Sequence, residues 1–182
     1  MPTHAGLSST VLESPVPVAV TMLVRLIEQL EHLVLSLDDA RYALPPRDRP
    51  SGSIGAHVRH CLDHVTAFLD GVSSGVLSYD RRVRNTRLET DRQAAVQQLR
   101  ALTAALLDLP AAVLDRPLRL DTQLDASGTA CAVLTTAGRE LAFVISHTIH
   151  HNATMGVLLS EAGVVLPQRF GYAPTTPSPA AA

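Results

Sequence analysis

Apolar residues recurring at steps of three and four, together with cap and stop residues, mark four stretches of the chain as helices. The first runs from Val18 to about Asp39, with Leu23, Leu26, Leu30, Leu33 and Leu37 on one face and Arg25, Glu28, Gln29, Glu31 and His32 between them. Pro45-Pro46 stops it, because proline lacks the amide proton a helix needs and restricts the residue before it. Ser51 or Ser53 is placed to cap a second helix that runs to about Leu69 and is stopped by Gly71 and the Ser73-Ser74-Gly75 cluster. Thr90-Asp91-Arg92-Gln93 has the form of a capping box and opens a third helix. Its stripe is Ala95, Leu99, Leu102, Leu106 and Leu109, and Pro110 ends it. The fourth helix spans about Thr136 to Ala162, with Gly163 as C-cap.

Between Pro117 and Thr135 the period shifts from helical toward two. Leu118, Leu120 and Gln123-Leu124 lead to an Ala126-Ser127-Gly128 turn, and Ala130 to Leu134 follow, a pattern that predicts a short β-hairpin. Four helices with one long connection before the last describe an all-α four-helix bundle. Residues 1–17 read as a flexible leader, 18–166 as the bundle domain and 167–182 as a Pro- and Ala-rich arm.

Composition narrows the function classes. The chain has 182 residues, is 46% hydrophobic and 18% charged, and carries a net charge of −2. All 15 basic residues are arginine. A near-neutral balance with 3% aromatics gives no basic footprint or stacking platform for nucleic acid. The longest apolar stretch, Val16 to Leu37, is interrupted by Pro17, Arg25, Glu28, Gln29 and Glu31, so no membrane span is expected. With no basic, apolar leader and only Cys61 and Cys131, a reduced, cytoplasmic setting is expected. No phosphate-cradling glycine loop, nucleophile elbow or Cys-x-x-Cys pair occurs.

Histidine is the anomaly. Six of the eight lie in two windows, His57, His60 and His64 in the second helix and His147, His150 and His151 in the fourth. Spacings of three and four stack side chains along one helix face. The His147/His151 stripe continues through Val144, Thr154 and Leu158, toward the bundle interior. Imidazoles in an apolar interior need a partner for each ring nitrogen, and a divalent cation supplies one. A packed, hydrogen-bonded histidine is the competing reading of any one of them.

The run Ser53-Ile54 through His60-Cys61-Leu62-Asp63 and the run His147-Thr148-Ile149-His150-His151 together resemble the second- and fourth-helix motifs of the DinB/YfiT-like proteins. The resemblance covers about Val18 to Ala162. It implies a divalent metal held by His60, His147 and His151, with His57, His64 and His150 as additional candidates. The tryptophan that often precedes the second-helix motif is absent; Pro50-Ser51-Gly52 stands there, and a different ligand choice within this helix stays open.

Three protein ligands leave a coordination position for water or substrate, the arrangement of a catalytic metal. Nickel, zinc and iron all suit imidazole. The family resemblance implies a metal-dependent enzyme acting on a small-molecule substrate, a thiol-dependent transferase or a hydrolase, with a low-molecular-weight thiol as a second cofactor. A non-enzymatic, stress-related metal- or ligand-binding bundle is the alternative. A homodimer is the expected assembly. Asp63 and Glu140 are candidates to orient an imidazole or accept a proton, against readings as a helix-surface acid and a first-turn acid favoured by the helix dipole. Tyr79, Arg81 and Arg82 could rim the site and bind an anionic group, or belong to a solvated loop. Cys61 points about 100° away from His60 around the helix and reads as a small buried residue.

Overall fold

The computed structural model describes residues 16–45, 52–81 and 84–177. Helices α1 (Val18–Ser36), α3 (Ile54–Ser74), α4 (Arg92–Leu107) and α5 (Ala137–Glu161) are the four bundle helices. A five-residue helix, α2 (Asp39–Ala43), follows α1. Both α1 and α3 pack against α4 and α5, so the four helices close around one core. Val20, Leu23, Ile27, Leu30 and Leu33 of α1 meet Val58, Leu62, Val65 and Phe68 of α3, Leu99 and Leu106 of α4, and Leu141 and Val144 of α5 there. The leucine periodicity identified the α1 and α4 faces correctly. No helix among the described residues is long and apolar enough to cross a membrane.

Helix boundaries depart from expectation where a side chain competes for backbone groups. The first helix does not reach Asp39: Leu37 is extended, and Asp38 Oδ1 accepts the Arg41 amide at 2.7 Å to cap α2 instead. Tyr42 on α2 is fully buried and donates its hydroxyl to the Leu88 carbonyl at 2.6 Å. Ser53 caps α3 by accepting from the Ala56 amide at 3.1 Å, while Ser51 lies outside the described residues. The helix continues through Gly71 to Ser74 and ends at Gly75, which adopts φ +84°. A lone glycine costs a helix only about 1 kcal/mol, and at Gly71 the missing Cβ admits Leu77, which would otherwise lie 2.9 Å from it. Asp91, not Thr90, caps α4, accepting from the Ala94 amide at 2.9 Å.

The hairpin is present as β2 (Pro117–Gln123) and β3 (Ala130–Thr136), antiparallel from Pro117↔Thr136 to Gln123↔Ala130. A two-residue strand, β1 (Val76–Leu77), pairs parallel to β2 and extends it to three strands in the order β1-β2-β3. Two residues are too few for any period, so the sequence gives no trace of β1. The sheet runs directly into α5, whose N-cap is Thr136.

The leader, residues 1–15, lies outside the described residues. Part of the expected arm folds back: Phe170 is buried in the core, and Gly171 sits against α5 with φ +74°. A Cβ at Gly171 would come within 2.5 Å of the Ala153 backbone, so only glycine fits that approach.

Candidate metal centre

Helix α3 buries Val58, Cys61, Leu62, Val65 and Phe68, and α5 buries Leu141, Val144, Thr148 and Met155. The histidines flank these stripes where the two helices meet. Their pairing follows an antiparallel ladder. His57 faces His151, with Nδ1 to Nδ1 at 3.1 Å. His60 faces His147 one turn on, with Nε2 to Nε2 at 2.9 Å. His64, one turn further along α3, lies with its ring centroid 4.1 Å from His147 and 6.4 Å from Phe143. Advancing three residues along α3, from His57 to His60, therefore retreats four along α5.

Donor atoms of His60, His64 and His147 all lie within 4.8 Å of one another. The His151 ring is next to this group, its centroid 4.5 Å from His60 and 4.6 Å from His147. The sequence assignment placed His60, His147 and His151 together and held His64 as an addition; in the structure His64 completes the tightest set of three. His150 is exposed and meets the cluster through an edge-on contact with His151 at 5.3 Å.

The donor set fits a divalent cation. His64 Nδ1 donates to the His60 carbonyl at 2.9 Å, so the neutral ring keeps its lone pair on Nε2. That Nδ1–H bond to a backbone carbonyl is the usual means of orienting a ligating imidazole. The 2.9 Å between the His60 and His147 nitrogens matches cis ligands at about 90° on an ion with bonds of about 2.1 Å and is shorter than the roughly 3.4 Å edge of a tetrahedral site. Burial lowers the pKa of His57, helped by His150, and pulls that of His151 down to about 3, with His147 and His57 adding to it. Neutral imidazole is the ligating form.

Aromatic rings wall one side. Tyr79 stacks on His64 at 5.1 Å, and Phe143 stacks on His147 at 5.5 Å. Tyr79 comes from a charged run that looked solvent-facing, yet it packs against the core. The reason is Glu140. Its carboxylate is fully buried, accepts from Tyr79 at 3.1 Å, Thr135 at 2.8 Å and Arg139 at 2.9 Å, and so fixes the Tyr79 ring. Burial, then the Glu140 charge, raises the Tyr79 pKa. Glu140 thus orients a ring against the cluster.

Asp63 is tied to Arg59 at 2.6 Å, and Arg59 also reaches Glu89 at 2.7 Å, an arrangement that fastens α3 to the 3-10 turn Thr86–Glu89. Arg81 is exposed, and Arg82 lies outside the described residues. Cys61 is buried in the core, and that burial pushes its thiol up to about 12, so it stays protonated. Sequence reasoning missed Asn152, which is fully buried beside His151 in the chain with neither amide atom hydrogen-bonded. The cavity of about 450 Å³ between Ile54, Leu158 and Leu159 includes none of the histidines.

The DinB superfamily model matches residues 22–155, a span that includes all six clustered histidine positions. The chain belongs to the DinB superfamily. Among solved structures, a DinB-like protein from Bacillus subtilis superposes with a TM-score of 0.59 at 22% identity, covering 85% of this chain and 99% of that one. The match supports the same fold. FK506-binding protein 5 of Rhizopus delemar is 36% identical over 102 residues, which are 56% of this chain and 26% of that protein. The chain therefore corresponds to about a quarter of that relative's length. In this DinB-superfamily chain the histidines added to the family pattern, His57 and His64, lie in the cluster itself.

The His151 shift makes acid sensitivity a direct test. In the unfolded chain His151 titrates near 6.5, whereas in the fold it stays neutral down to about 3. Between those values the unfolded state binds the extra proton, so cation-free protein loses stability as pH falls below about 6.5. Above 6.5 the contribution is flat. Urea midpoints at pH 7.5, 6.0 and 5.0 should fall more steeply for the wild type than for His151→Gln. Parallel curves would show that His151 protonates freely in the fold.

Proposed function

We propose that this chain is a divalent-metal protein whose cation sits among His60, His64 and His147, with His151 beside them. Its reaction is activation of water or of a small-molecule thiol toward an electrophilic substrate. The observation that carries this reading is the convergence of three histidine donors, drawn from α3 and α5, within 4.8 Å. Membership of the DinB superfamily supports it.

Imidazoles bring no negative charge, so a bound nickel, zinc or iron ion stays strongly Lewis-acidic and lowers the pKa of a coordinated water or thiol. The protein's own residues prepare that chemistry. The His60 carbonyl holds the His64 ring, and Tyr79 and Phe143 exclude water from one side. Cys61 is buried and protonated and Cys131 lies on β3 rather than on α3 or α5, so the reading takes its thiol from solution.

A second reading, a binding protein with no turnover, is favoured by the number of imidazoles. Four nitrogens close a tetrahedral ion and leave no position for substrate.

Elemental analysis of protein purified without chelator tests the proposal. One equivalent of metal per chain is expected, lost in His60→Ala and His147→Ala. Metal content unchanged by both substitutions would overturn it. Loaded protein is then screened with thiols and electrophiles. Acceleration supports the enzyme, and metal retention without any turnover supports the second reading.

A further inference from the structure

His57 and His151 approach through the same ring atom, Nδ1 to Nδ1 at 3.1 Å. Two neutral imidazoles at that distance share one proton, with one ring donating and the other accepting. If His57 donates, His151 accepts on Nδ1 and carries its own proton on Nε2, which leaves no lone pair for a cation. If His151 donates, its Nε2 lone pair is available, and the ring already lies 4.5 Å from His60 and 4.6 Å from His147, centroid to centroid. We infer that His57 is a positioning residue of the metal centre: its Nδ1 accepts the Nδ1–H of His151 and so delivers the His151 Nε2 to the cation as a fourth imidazole nitrogen. This rests on the metal-binding reading above, and with four imidazoles bound, an open position for water or a thiol requires a five- or six-coordinate ion.

The role is one that carboxylates and backbone carbonyls commonly fill for ligating histidines. Here an imidazole fills it because of the helix ladder. His57 sits three residues before His60 and His151 four after His147, so the His57–His151 pair forms the adjoining rung. Which ring holds the shared proton is set by the cation, since only one of the two arrangements leaves His151 able to ligate. His57 Nε2 is buried without a hydrogen-bond partner, so the ligating arrangement leaves an N–H unsatisfied there, a cost of about 1–3 kcal/mol that cation binding must offset.

The test compares zinc binding by wild type, His57→Phe, His57→Gln, His151→Ala and the His57→Phe/His151→Ala double variant. Circular dichroism checks that each is folded. Phenylalanine keeps a ring and loses the acceptor; glutamine keeps an acceptor. His57→Phe should bind zinc about 10- to 100-fold more weakly. His57→Gln should recover most of that loss, and the double variant should bind no more weakly than His151→Ala. Long-range proton–nitrogen spectra of the wild-type zinc form should show His151 protonated on Nδ1 and metallated on Nε2. Wild-type affinity in His57→Phe, or losses that add in the double variant, would overturn the inference while leaving a three-histidine centre intact. Wild-type protein that takes up no zinc overturns the metal reading and this inference with it.

Discussion

Glu140→Ala should lower the unfolding free energy by about 3 kcal/mol and weaken metal retention at the same time. Glu140 is a fully buried carboxylate accepting three hydrogen bonds, from Tyr79, Thr135 and Arg139. Bonds to a charged acceptor contribute about 1.5–3 kcal/mol each, and breaking a buried charge network costs about 3–5 kcal/mol. Two considerations pull the figure down from the sum. Arg139 is 63% exposed, so its pairing with Glu140 is screened by solvent. Removing the carboxylate also removes its own desolvation cost. What the variant loses is the carboxylate that the Tyr79 and Thr135 hydroxyls donate to. Glu140→Gln should lie between wild type and alanine, because an amide accepts through one oxygen and turns its NH₂ toward a donor. Urea denaturation gives the first effect, and zinc competition against a chelating dye gives the second, since Tyr79 would no longer be held against His64. An alanine variant within about 0.5 kcal/mol of wild type would remove Glu140 from this role.

Gly55→Val should cost a comparable amount, about 3 kcal/mol, by a different route. Gly55 lies in the first turn of α3, and a Cβ there would meet the Glu89 carbonyl oxygen and come within 2.7 Å of the Tyr42 ring. The obstacle is partly backbone, which gives way less readily than a flexible side chain, and overpacking of this kind costs about 1–3 kcal/mol or more. Even Gly55→Ala should destabilise. Replacing a helical glycine ordinarily gains about 1 kcal/mol in propensity, less than the clash costs. For a chain of this size the valine variant should melt roughly 6–12 °C lower. An alanine variant as stable as wild type would show that α3 and the 3-10 turn can separate freely.

The architecture was legible wherever it depended on periodicity. Leucines at steps of three and four marked the first and third bundle helices, cap and stop residues marked the second and fourth, and the shift to period two marked the hairpin. What escaped was decided by local competition or by distance. Asp38 took a backbone amide that would have prolonged α1, and Gly71 stayed helical because Leu77 packs onto it. For the centre, the two histidine windows were plain from spacing. Their register was not, since it depends on how α5 slides along α3, and that slide selects His64 for the tightest group and sets His57 against His151. For Tyr79 and Glu140 the sequence left two readings open for a related reason. One sits in a charged run and the other in a helix's first turn, and only the tertiary fold turns both inward.

The rung joining His60 to His147 spans 87 positions of chain. An ion gripped by both would act as a removable staple across α4 and the whole sheet, closing a large loop in any state that keeps it bound. Such closure is entropically costly before docking and cheap afterwards. Metal uptake should therefore come late in folding, once the last helix has arrived, and chelation should loosen the α3–α5 seam before it disturbs α1 or α4.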